Sequence, residues 1–392
     1  MPDHTVLTWT EDDRPHTARW LSATGAPPPR RVEPGDDRMP AAVAYKLACE
    51  GTAVLWRGDY HGARQLLAAL GRRLDKRGSR RRGKEPAGPA ADHAADPAAA
   101  FHRHRQEQGH RARILGMLLV PLQPGYDVPL NRAPDVAAAC TEAYGPYPGD
   151  EPAAVALRDL LGVLGAHQWQ QRGVEVPALG GERIHPHYGV FAPVRGEYAD
   201  LVAEAPLPPG AERLAFDVGT GTGVLAAVLA RRGVRRIVAT DLNDRALACA
   251  RANADRLGYG DQVEPVRADL FPEGRAPLAV CNPPWLPAKP TSTLEYAVYD
   301  PGSRMLRGFL DGLADHLEPA GEGWLIVSDL AEHLGLRSRD ELLGWIAAAG
   351  LTVTDRLDTR PRHPRATDPD DPLHAARGAE VTSLWRLRAT DG

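Results

Sequence analysis

The chain has 392 residues, 43% of them hydrophobic, and a formal net charge of −4, which is enough length for two domains and enough apolar material for a sizeable core, with no global basic footprint for nucleic acid. Its four cysteines, Cys49, Cys140, Cys249 and Cys281, are scattered without a CxxC pair, so neither a disulfide framework nor a metal site is expected, and a reducing cytoplasm is the expected location. The N-terminal stretch MPDHTVLTWTEDDRPH is polar and no run of about 18 apolar residues occurs, so no membrane partner is expected.

Residues 1–180 read as a mixed α/β N-terminal domain for substrate recognition. Helical patterns fall at Ala41–Glu50, Tyr60–Lys76 and Ala153–Leu164. The second has apolar residues at 63, 66, 67, 70 and 74, one face of a helix. Ile114–Leu122 (ILGMLLVPL) reads as a buried strand, and the Pro-Gly-Tyr after it as a turn leading to Val128–Leu130. Arg72–Lys84 (RRLDKRGSRRRGK) is strongly basic and Glu85–Ala100 is rich in Ala and Pro. Together they predict a solvated loop at about 77–97, with contact to a nucleic acid such as RNA or to an acidic partner as the alternative. Trp9, Trp20 and Trp56 are expected to pack the core of this domain.

From Ala211 the pattern becomes a regular alternation, which makes residues 181–392 a second domain. Strands are predicted at Arg213–Val218, Arg235–Asp241, Val263–Ala268, Leu278–Cys281 and Gly323–Ser328. Helices are predicted at Gly223–Arg232, Asp244–Leu257, Arg304–Leu317 and Arg339–Ala349. Apolar strands alternating with amphipathic helices of this length form βαβ units and a parallel sheet covered on both faces. Two last strands, near Leu351–Leu357 and Val381–Leu387, are joined by a polar loop containing His363 and His374. With no crossover helix between them, they are expected to pair antiparallel at an edge.

The chemistry concentrates at the strand ends. The first of these strands leads into Asp217-Val-Gly219-Thr220-Gly221-Thr-Gly223. Glycines in a strand-to-helix turn let the backbone approach a ligand closely. A dinucleotide fingerprint, GxGxxG, would need its third glycine at Val224, so the spacing favours S-adenosylmethionine, which has no pyrophosphate to cradle. Asp241, about 20 residues on at the next strand tip, is placed to accept both ribose hydroxyls, with Leu242 beside it. Asp269 at the third tip suits the adenine amino group, with Leu270 or Phe271 against the ring. Each Asp alone reads equally well as a helix cap or turn residue; the three tips in order carry the reading.

The fourth strand ends in Asn282-Pro283-Pro284-Trp285. Two prolines remove two backbone donors and stiffen the turn. The Asn282 side-chain carbonyl and the Pro283 carbonyl can then both accept hydrogen bonds from one NH2 group, and Trp285 offers a flat face to a planar amide or base. Such a site works by positioning and needs no strong base. His185 and His187 read as rim or turn residues, and Tyr299 and Asp300 as candidates to close over the acceptor.

Residues 195 to about 330 resemble the HemK-type branch of the class I methyltransferases, which methylate glutamine amides of peptide release factors. FDVGTGTGVLA, ATDLNDRALACARANADRLG and NPPWLP match its glycine motif, its acidic strand tip with the following helix, and its NPPY loop. Arg195 and Glu197 match a segment lining the branch's cofactor pocket, with Gly196 in place of a proline. AVCNPPW also fits the wider amino-methyltransferase signature of adenine-N6 and guanine-N2 enzymes, and Gly189-Val-Phe191-Ala-Pro193 echoes a cofactor-binding segment of the adenine enzymes. Trp285 stands where the branch has Tyr, and residues 1–180 do not resemble its small helical recognition bundle.

The resemblance implies a Rossmann-like fold, a seven-stranded and mostly parallel sheet with an antiparallel edge strand. It also implies S-adenosylmethionine as cofactor, no metal, and a planar nitrogen as acceptor, a protein or peptide glutamine amide first. An RNA or DNA amino group and a small metabolite are the alternatives. A silent scaffold and a nicotinamide oxidoreductase are disfavoured by Asn282, Asp241 and Val224. The sequence sets no oligomeric state.

Overall fold

The computed structural model describes residues 6–82, 96–290, 295, 297–362, 368 and 371–390. Contacts divide the chain into two units: one built mainly from residues 1–95 and 102–168, the other mainly from 96–101, 169–290 and 294–392. The division falls at Gln168/Trp169, ahead of the boundary expected near 180, because Val176 and Leu179 belong to the core of the second unit.

The first unit opens with a hairpin that the sequence reading left unassigned, β1 (Val6–Glu11) and β2 (Arg14–Leu21). Its turn residues Asp12 and Asp13 both have positive φ, 52° and 58°, the geometry that matches the twist of a two-residue hairpin. There follow β3 (Arg31–Gly35), α1 (Ala41–Cys49), β4 (Thr52–Trp56), α2 (Tyr60–Arg82), α3 (Pro97–Leu115), β5 (Leu118–Leu122), α4 (Ala137–Tyr144), β6 (Ala153–Ala156) and α5 (Leu157–Arg172). The strands form one sheet in the order β1-β2-β6-β5-β4-β3.

Three expectations change here. Ala153–Ala156 is a buried strand between β2 and β5 and only the residues from Leu157 are helical; burial on both faces overrides the helix propensity of alanine. Ile114 and Leu115 are the last residues of α3, and the strand begins at Leu118. The basic run is helical as far as Arg82 and α3 begins at Pro97, so neither 77–82 nor Pro97 belongs to the loop expected at 77–97, and residues 83–95 lie outside the described residues. Asp75 of α2 faces Arg111 of α3 at 2.5 Å. Trp56 is buried, while Trp9 and Trp20 pack partly buried against the core around Leu7, Leu55 and Leu119.

The second unit begins with the short ribbon β7 (Val174–Glu175) and β8 (Arg183–Ile184) and with α6 (Glu197–Glu204). The alternation predicted from sequence follows: β9 (Ala215–Val218), α7 (Val224–Arg231), β10 (Ile237–Asp241), α8 (Asp244–Arg256), β11 (Val263–Arg267), β12 (Ala276–Cys281), α9 (Arg304–His316), β13 (Leu317–Ser328), α10 (Leu330–His333), α11 (Arg339–Ala348), β14 (Leu351–Thr359), α12 (His374–Ala379) and β15 (Thr382–Ala389). The seven-stranded sheet runs β11-β10-β9-β12-β13-β15-β14.

This is a Rossmann-like doubly wound order, with the chain reversing direction across the sheet between β9 and β12. The antiparallel strand, β15, lies between β13 and β14, one position in from the edge. A short helix, α12, stands in the connection read as a plain loop, and His363 lies outside the described residues. Two cores cover the faces: Leu225, Val228 and Leu229 of α7 with Leu201 of α6 on one side, and Phe309, Leu310, Leu313 and Leu342 of α9 and α11 on the other. No helix among the described residues is long and apolar enough to cross a membrane.

Candidate active site

Sheet register brings the four predicted strand tips together. Val218 of β9 pairs with Thr240 of β10 and with Cys281 of β12, and Asp241 pairs with Arg267 of β11. Gly219, Asp241, Ala268 and Asn282 therefore leave the same edge of four consecutive strands, each about 4.8 Å from the next. The reversal point between β9 and β12 is where open α/β sheets bind ligands.

The glycine turn is tied down from below. Asp217 is 1% exposed. Its Oδ2 accepts the Thr220 hydroxyl at 2.6 Å and the Ala226 N–H at 3.1 Å. Burial, which these donors offset in part and the charge of Asp241 reinforces, pushes its pKa from 3.8 up to about 6. Asp217 thus holds the turn in place. Gly219, Gly221 and Gly223 all have positive φ, 73°, 54° and 79°. A Cβ on Gly219 would lie 2.3 Å from the Met305 methyl, the flexible end of a side chain that can give way, so it is the left-handed conformation that demands glycine there. Val224 is the buried first residue of α7, which leaves the position of the third dinucleotide glycine filled by a side chain.

Asp241 ends β10. Its Oδ1 accepts the Asn243 N–H at 2.9 Å and its Oδ2 the Gly221 N–H at 3.1 Å. Burial raises its pKa against these hydrogen bonds. Each carboxylate oxygen has a second lone pair for a ligand hydroxyl. Leu242 beside it is exposed, as is Asp269 at the β11 tip. Leu270 has the unusual φ of 72° and its carbonyl accepts the Thr240 hydroxyl at 2.5 Å. Its side chain packs where a Cβ on Gly308 would sit. The Phe271 ring stacks between Phe309, at 5.4 Å, and His316, at 4.3 Å. Both side chains therefore turn into α9, and neither is free to cover an adenine ring in this conformation.

Asn282 and Trp285 meet directly: the indole Nε1–H donates to Asn282 Oδ1 at 2.9 Å. The Arg195 guanidinium lies over the Trp285 ring, 4.9 Å from its centroid. Arg195 donates to Glu197 at 3.0 Å and to Glu380 at 3.0 Å. Both carboxylates are buried, and Glu380 also accepts the Ser328 hydroxyl at 2.5 Å. Phe191, just upstream, is exposed.

Sequence reasoning missed Glu380, Ser328 and Asn253. Glu380 lies 185 positions from its partner Arg195, beyond a polar connection, and no local pattern marks it. Asn253 is buried in α8 and donates to the Thr222 carbonyl at 2.9 Å and to the His185 carbonyl at 3.2 Å. It ties the glycine turn to the segment before α6, and its place in ARANADR was the available signal.

His185 and His187 are held along α8 through Asn253 and Cys249, a structural placement. Asp300 is buried and accepts the N–H groups of Met305 and Leu306 at 2.9 and 3.2 Å. It anchors the start of α9 and does not reach over the site, which corrects the expectation of a closing residue.

Comparison with known proteins agrees with this geometry. Residues 182–333 match the family model "Methyltransferase small domain". A release factor glutamine methyltransferase of Cereibacter sphaeroides is 33% identical over 186 residues, 43% of this chain and 63% of that protein. Another, of Mycobacterium tuberculosis, is 32% identical over 227 residues, 54% of this chain and 66% of that protein. A ribosomal protein L11 methyltransferase of Pelotomaculum thermopropionicum is 46% identical over 69 residues, 17% of this chain and 22% of that protein. The chain thus spans somewhat less than two thirds of the length of the release factor relatives. Glycine turn, acidic strand tip and NPPW loop on a sheet of this order, together with these matches, make the second unit a class I, adenosylmethionine-dependent methyltransferase domain similar to the HemK-like enzymes.

Proposed function

We propose that the chain transfers a methyl group from S-adenosylmethionine to the side-chain amide nitrogen of a glutamine in a protein substrate, a peptide release factor being the first candidate. The observation that carries this reading is the position of Asn282-Pro283-Pro284-Trp285 at the tip of β12, beside the glycine turn of β9. The names of the relatives from Cereibacter sphaeroides and Mycobacterium tuberculosis support the acceptor. The first unit is the substrate-recognition module in this reading.

The residues present fit the cofactor: three positive-φ glycines, Gly219, Gly221 and Gly223, leave a backbone cradle free of side chains, and Asp241 has lone pairs for two ribose hydroxyls. When bound, the cofactor supplies an electrophilic methyl group on a sulfonium. The chain's own residues then do positional work. Asn282 Oδ1 and the Pro283 carbonyl accept the two N–H bonds of the acceptor amide, which fixes its nitrogen and aims it away from the clamp. The proline pair keeps those carbonyls from relaxing. With Arg195 over one face of Trp285, the other face takes the planar acceptor.

The test incubates the purified chain with donor labelled in its methyl group and with a release factor domain containing Gly-Gly-Gln. Mass spectrometry is expected to place one methyl on the glutamine amide. Label that appears only in RNA of a cell lysate, and is lost on RNase treatment, would overturn the protein acceptor.

A further inference from the structure

We infer that Trp285 is a positioning residue that selects the working orientation of the Asn282 amide, and that Arg195 and Glu380 hold it in that role. The inference rests on the reading of Asn282 as the acceptor clamp.

A side-chain amide has a carbonyl on one side and an NH2 on the other, and rotation of half a turn about its last bond exchanges them at little intrinsic cost. Only one orientation suits an acceptor NH2. With the amide flipped, two donor groups face each other. An indole N–H donates and never accepts, so the contact from Trp285 Nε1 at 2.9 Å can only be made to Oδ1. This chemistry fixes the assignment of oxygen and nitrogen that atom positions alone leave open. One lone pair of Oδ1 takes the indole proton and the other remains for the acceptor. A flip would break the indole bond and present Nδ2 to both donors.

The indole holds the amide only if the ring itself is held. Its face carries the Arg195 guanidinium at 4.9 Å, and that guanidinium is fixed by Glu197 and Glu380 at 3.0 Å each. Glu380 is fully buried and takes the Ser328 hydroxyl on the same oxygen. The next residue, Val381, is tied to Asp329 at the end of β13 by hydrogen bonds of 2.7 and 3.0 Å. The approach to β15 thus bears on the tip of β12 through Glu380, Arg195, Trp285 and Asn282.

A double-mutant cycle tests the first link, on the release factor domain as acceptor. Trp285→Phe keeps a flat ring and deletes the donor. It should lower kcat about five- to tenfold, roughly the factor of one hydrogen bond, with affinity for S-adenosylhomocysteine within about twofold. In an Asn282→Asp background both side-chain oxygens accept, so no flip remains to be prevented. There the same Trp285→Phe change should cost less than about twofold. Equal costs in both backgrounds would reduce Trp285 to space-filling and overturn the inference.

The second link is read without any acceptor. In a nitrogen–proton correlation spectrum, the indole signal that Trp285→Phe removes is that of Trp285. Its exchange with solvent should quicken severalfold in Glu380→Gln and in Arg195→Lys, which keeps the charge but loses the planar group. Unchanged exchange in both would overturn the role of Arg195 and Glu380. A protein that methylates no amide but keeps this protected indole signal would contradict the acceptor reading alone.

Discussion

Each unit places parallel strands with polar loops at their carboxyl ends, and the two edges are finished differently. In the first unit, Asp37 Oδ2 accepts the Asp59 N–H at 2.8 Å ahead of α2, and Asp59 pairs with Arg132 at 2.7 Å. Arg57 turns to Glu11 at 2.6 Å. Gly58 and Gly62 have no Cβ because the Asp37 carboxylate occupies that space. Asp37, Asp59, Gly62 and Arg132, with His61 and Gln65, line an open cleft of about 450 Å³, yet its acids are engaged in capping and pairing. In the second unit, Asp241 and Asn282 each keep a lone pair beyond the bonds they make within the fold. Asp37 and Asp59 keep lone pairs as well, so neither cleft volume nor open acceptors alone separate the edges; the second edge differs in standing at the sheet reversal point beside the glycine turn.

Substitutions on the two edges should separate these roles. The largest stability effect is expected at Arg195→Met, which leaves Glu197 and Glu380 buried without their cation. Breaking a buried pair in this way costs about 3–5 kcal/mol, read by denaturant unfolding.

Asp217 comes next. Its folded pKa, about 6, lies above the ordinary 3.8, so the folded state binds the proton more tightly than the unfolded chain. Its stabilising contribution is present below about pH 4 and is lost as pH rises through 6. Roughly two pKa units correspond to about 3 kcal/mol. An Asp217→Asn variant, whose amide oxygen can accept from Thr220 and Ala226, should gain on the parent protein over that window when unfolding is followed against pH. A flat difference would refute the buried, proton-holding carboxyl.

Gly219→Ala should cost about 1–2 kcal/mol for the left-handed backbone and should weaken cofactor binding with it. Asp37→Ala should cost about 1 kcal/mol, the loss of a cap, and leave cofactor affinity unchanged. A change in affinity there would break the contrast between the edges.

The second unit was legible because its local signals agree with its tertiary structure. β9, β10 and β12 are short apolar runs, each followed by a helix, and the candidate ligand turns follow them where glycine, acid and proline patterns place them. The first unit resisted because tertiary context overrides its local signals. AAVA in β6 reads as helix until both faces are buried, and the Asp-Asp turn between β1 and β2 lacks the glycine that usually marks such a hairpin. At the site, Asp217, Asp241 and Asn282 were found by motif. Phe271 and Asp300 were given to the ligand although their neighbours in α9 engage them, and Glu380 is invisible without coordinates because the chain returns to the site only after β14.

The central claim is that four adjacent strand tips divide into a cofactor half and an acceptor half. Calorimetric titration with S-adenosylhomocysteine tests it on three proteins. The parent chain and Asn282→Ala are predicted to bind within a few-fold of each other, Asp241→Ala at least about tenfold more weakly, and NAD not to compete. Binding of NAD in place of the nucleoside, or an equal loss of affinity in Asn282→Ala and Asp241→Ala, would contradict the account.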